Sequence, residues 1–85
     1  MEPDIKTRIE KDFGDIADKA ITMIQQFEEN QGLSPRVTRC IIHLSGGDLT
    51  KLKSNIDVAN QDWRDIIYWA EGDNAFVFNE PFPEH

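Results

Sequence analysis

The chain has 85 residues, of which 39% are hydrophobic and 29% charged, and its net charge is −7. That length sets one small domain, and the apolar share favours a folded chain over a disordered one. The acid excess is spread over both halves and argues against nucleic acid or anionic membranes as partners, since these are bound through Lys and Arg that displace counterions.

One cysteine, Cys40, leaves no intramolecular disulfide, and with His43 and His85 as the only histidines a Cys/His zinc site is not expected. The first residues, MEPDIKTRIEKDF, lack a basic stretch followed by an apolar run, so no signal peptide is read there. No apolar run approaches the roughly 20 residues of a membrane span. A reduced cytoplasmic setting follows as the expectation.

From Ile9 the apolar residues Phe13, Ile16, Ala20, Met23 and Phe27 recur at steps of three and four. This stripe predicts one long N-terminal helix within residues 1–32. Gly14 sits inside it and weakens a helix by about 1 kcal/mol relative to Ala. The stripe keeps its phase across Gly14, so an unbroken helix, bent at most, is predicted. Heptad-like spacing also makes its uncovered part a candidate dimer surface.

Residues 34–72 read as three short helices. Ser34-Pro35 is a start signal, with Ser34 as cap and Pro35 at the first helical position. The helix that follows, about Pro35–Ser45, carries Val37, Cys40, Ile41 and Leu44 on one face. Arg36, Arg39 and His43 lie on the other. The next two helices are about Leu49–Asn60 and Trp63–Glu71, capped by Asp48 and Asp62. Trp63, Ile66, Ile67 and Ala70 form the inner face of the last one, with Tyr68 and Trp69 on its flanks. The tail, 73–85, holds Phe76, Phe78 and Phe82 among prolines that rule out a long regular element.

Leu44-Ser45-Gly46-Gly47-Asp48 differs by one residue from the ATP-contacting signature of ABC-type ATPases. That signature acts only beside a lysine-containing phosphate loop, which this chain lacks. Asp48 would also repel a phosphate. The stretch reads as a helix–helix turn: Gly46 takes the left-handed conformation and Asp48 caps the next helix.

Cys40 and His43 lie three apart but on different faces, so Cys40 reads as a small buried hydrophobe. No paired carboxylates, Ser–His pair or metal-ligand spacing stands out, and neither catalysis nor a cofactor is expected. The predicted architecture is all-α. The predicted function is a non-enzymatic protein-interaction module or accessory subunit, with a homodimer among the options. Its partner surface would be Tyr68, Trp69, Phe76, Phe78 and Phe82, since aromatics are enriched at binding hot spots. The competing reading folds the tail back over its own helices. Arg36, Arg39 and His43 form a basic stripe that could meet an anion or an acidic partner, or pair within the chain. A third reading takes the Gly46-Gly47 turn, with Lys51 and Lys53 beyond it, as a DNA-binding helix-turn-helix.

Overall fold

The structure is a computed structural model, and it describes residues 1–32, 34–72, 78, 81 and 82. Four helices make up these residues, with no strand among them: α1 (Pro3–Phe13), α2 (Ala17–Gln31), α3 (Pro35–Ser45) and α4 (Leu49–Glu71). A one-turn 3-10 segment, Gly14–Ile16, separates α1 from α2.

The single long N-terminal helix is therefore corrected to two. Gly14 has φ 53° and ψ −119°. These are the angles of the first central position of a type II′ turn, which only glycine adopts without strain. A straight helix over 3–31 would be about 43 Å long, yet the longest extent of the protein is 30 Å. Breaking the helix at Gly14 keeps the stripe facing one small core: Ile5, Ile9 and Phe13 from α1, then Ala20, Ile24 and Phe27 from α2, are all buried.

Downstream, the capping logic holds with two changes. Gly46 is left-handed at φ 54°, ψ 34°. Asp48 accepts hydrogen bonds from the Thr50 and Lys51 amides at 2.8 and 3.2 Å. Ser34 starts α3 through its carbonyl, which accepts from the Val37 amide at 3.1 Å, and its side chain makes no capping bond. The expected turn at Asn60-Gln61-Asp62 contracts to one residue. Asp62 alone is extended, at φ −157° and ψ 96°, and it kinks α4 in place. Its carboxylate accepts from the Arg64 amide at 3.1 Å, so it caps the second half of α4 as Asp48 caps the first.

The centre of the molecule is α3. Val37, Thr38, Arg39, Cys40, Ile41 and Ile42 are buried in succession, which covers every face of a helix with 3.6 residues per turn. One side of α3 packs along α4, and α1 meets another. The remaining side, where the basic stripe lies, is covered by Phe78 and Phe82, which are 2% and 1% exposed.

Candidate functional site

Arg39 of the basic stripe is buried, at 5% exposure, and takes the in-chain pairing that the sequence left open. Its planar guanidinium forks onto Asp4 of α1, with Nε to Oδ2 at 2.9 Å and Nη2 to Oδ1 at 3.0 Å. Two parallel charge-assisted bonds of this kind fix both side chains. The third nitrogen, Nη1, donates to the Phe78 carbonyl at 3.3 Å. Asp4 Oδ2 also accepts from the Phe82 amide at 3.1 Å.

A second pair sits one turn earlier on α3. Arg36 Nε donates to Glu71 Oε2 at 2.9 Å, and its Nη2 reaches Oε1. Glu71 Oε2 accepts in addition from the Phe78 amide at 3.3 Å and from the Cys40 thiol at 3.7 Å. Both arginines of the stripe are thus committed to carboxylates of the same chain. His43 is half-buried, its ring centroid 4.8 Å from that of Phe78. Burial, followed by the charge of Glu71, pushes the Cys40 thiol up to about 12. It stays protonated at neutral pH, as a buried hydrophobe does and a nucleophile does not.

These pairs make stability depend on pH. The hydrogen bonds from Arg39 and from Arg36 hold Asp4 and Glu71 below the usual carboxylate range. Their contribution is present above that range and is lost as pH falls through it, from about 4 downward. His43 is held below its ordinary value, first by burial and then by Arg8. The unfolded chain therefore takes up that proton first, and stability starts to fall near pH 6.5. Urea unfolding from about pH 8 to pH 3 is expected to show both declines. His43→Gln should remove the upper one and leave the lower.

The aromatic surface splits in two. Tyr68 and Trp69 stand in solvent at 74% and 53% exposure. Trp63, expected in the core, joins them at 41%, directly after the kink at Asp62. Phe78 and Phe82 take the opposite course and are buried against the chain's own helices, one of the two arrangements the sequence left open for the tail. Phe76 lies outside the described residues.

Elsewhere, α2 and the first half of α4 leave a shallow groove of about 410 Å³ between Met23, Phe27 and Ile56, rimmed by Gln26, Lys53 and Asn60. Lys53 is 3.5 Å from Asp57. Among the described residues no group of three or more His, Cys, Asp or Glu side chains is placed to hold a metal ion, and no helix is long and apolar enough to cross a membrane. Compared with known proteins, the chain matches no family model, no curated protein and no solved structure.

Sequence reasoning missed Asp4 and Glu71, the two acids that organise the cluster. Asp4 adjoins Ile5, where the inward stripe of α1 begins, and Glu71 follows Ala70 on the inner face of α4. Both sit beside buried positions, the one signal that could have marked them.

Proposed function

We propose that the protein is a small cytoplasmic protein-interaction module or accessory subunit whose contact surface is the outer side of the second half of α4. The observation that carries this reading is the exposure of Tyr68 and Trp69, with Trp63 nearby, on a chain that buries its two described phenylalanines in the tail. Large aromatics held in water by a rigid helix lose little conformational entropy on binding, and Trp and Tyr lead among hot-spot residues. Arg64 and Asp65 are exposed on the same half-helix and supply polar specificity. A second copy of the chain is one possible partner, although two chains of net charge −7 repel each other at low salt.

The test is the double variant Tyr68→Ala/Trp69→Ala, compared with the parent in light scattering across a concentration series and in partner capture. Stability should change by no more than about 0.5 kcal/mol for each exposed position. Association should weaken by about 2 kcal/mol or more, as it does at hot spots. If capture and mass are both unchanged, this surface is not the one used.

A further inference from the structure

Beyond the kink at Asp62, α4 is regular to its end, and Gly72 keeps helical angles, φ −57° and ψ −39°. Along such a helix, residues three, four and seven apart share a face. Asp65, Tyr68, Trp69 and Gly72 therefore line up, and all four are exposed. At about 100° per residue, Tyr68 and Trp69 fall roughly 60° and 40° to either side of Asp65. Gly72 falls between them and adds no side chain. The face thus presents a carboxylate flanked by two aromatic residues.

Three charge features favour a cation on this face. Arg64, the one basic residue between Asn60 and Gly72, is engaged by Asp62, with Nε to Oδ1 at 3.0 Å and Nη2 to Oδ2 at 3.2 Å. The C-terminal end of α4 carries the negative pole of the helix dipole, and no basic residue stands in its last turn. The chain as a whole carries −7, which draws positive partners toward it. Aromatic faces attract the same charge through their quadrupoles. Arginine suits the site better than lysine. Its planar guanidinium can stack on a ring while its N–H groups fork onto a carboxylate.

We propose that the Asp65, Tyr68 and Trp69 face of α4 receives an arginine from a basic segment of a partner protein. The inference rests on the interaction surface proposed above and adds the chemistry of what that surface takes. Trp63, two residues before Asp65, lies on the other side of the helix and outside the site.

The test reads the site directly. Trp63→Phe leaves Trp69 as the chain's one tryptophan. The full-length Trp63→Phe protein is titrated at low salt with the peptide acetyl-GRGRGR-amide, and a saturable change in Trp69 emission is expected. Adding Asp65→Asn should weaken binding about fivefold or more, since the charge-assisted bonds are lost. Adding Tyr68→Ala should weaken it about two- to fivefold. Adding Glu29→Gln removes the same charge as Asp65→Asn from an exposed position on α2, and should weaken binding less than about twofold. The lysine peptide acetyl-GKGKGK-amide should bind about threefold or more weakly than the arginine peptide. No saturable change, equal effects of Asp65→Asn and Glu29→Gln, or equal binding of the two peptides overturns the inference. Partner capture with Tyr68→Ala/Trp69→Ala tests the surface separately. Lost capture beside an unresponsive arginine peptide leaves the surface standing and removes its basic partner. Unchanged capture and mass remove the surface, and the inference with it.

Discussion

Asp4→Ala is expected to destabilise the protein by about 3–5 kcal/mol, because it leaves the buried Arg39 guanidinium without its counter-charge. Total stabilities of small domains are about 5–15 kcal/mol, so the loss is a large share. The two partners are not equivalent. Arg39 cannot shed its proton, whereas a buried carboxylate left by Arg39→Met can be protonated. The deficit of Asp4→Ala should therefore persist across pH, while that of Arg39→Met should shrink in acid. Urea unfolding monitored at 222 nm measures both. A deficit below about 1 kcal/mol for Asp4→Ala would put the pair in the class of solvated surface bridges and contradict its burial.

The two glycines of the turn between α3 and α4 should respond very differently to alanine. At Gly46 a Cβ would meet nothing within 4 Å, and only the left-handed backbone resists it. That costs about 1–2 kcal/mol. At Gly47, with φ 81°, the same atom would overlap the backbone carbonyl oxygen of Asp12 and lie 3.2 Å from its carbon. Backbone cannot rotate away as a side chain does, so the turn must part from the end of α1. Strain of about 1–2 kcal/mol and overpacking of about 1–3 kcal/mol add to roughly 2–5 kcal/mol for Gly47→Ala. Thermal melts of the two variants decide the matter, and equal losses would mean the turn does not press on α1.

The helical class, the apolar stripes and the Asp48 and Asp62 caps were legible in the sequence because each depends on neighbours within one or two turns. Gly14 was not. A periodic stripe keeps its phase whether the helix continues or restarts after one tight turn, and only the space available for packing separates the two. For the basic stripe, pairing within the chain was open in the sequence, but the identity of the partners was not. The opposite face of α3 is apolar, which marks Arg36, Arg39 and His43 as a separate face, yet their partners Asp4, Glu71 and Phe78 lie 35 to 39 residues away in the chain, beyond any local pattern. Tyr68 and Trp69 were read as flanking residues, and flanking positions leave exposure open until the packing of the whole chain is known.

The all-round burial of α3 bears on how this protein can vary. A surface helix has a side that drifts freely between related sequences, so its record of substitution shows a period of three to four. A helix enclosed by α4, α1 and the two tail phenylalanines has no such side. Position after position from Val37 to Ile42 is constrained by a different neighbour, by volume at Ile41 and Ile42 and by charge at Arg39. Divergence in this protein should thus run through α2 and the outer side of α4, while α3 persists as an aperiodic block in which even an arginine behaves as a core residue.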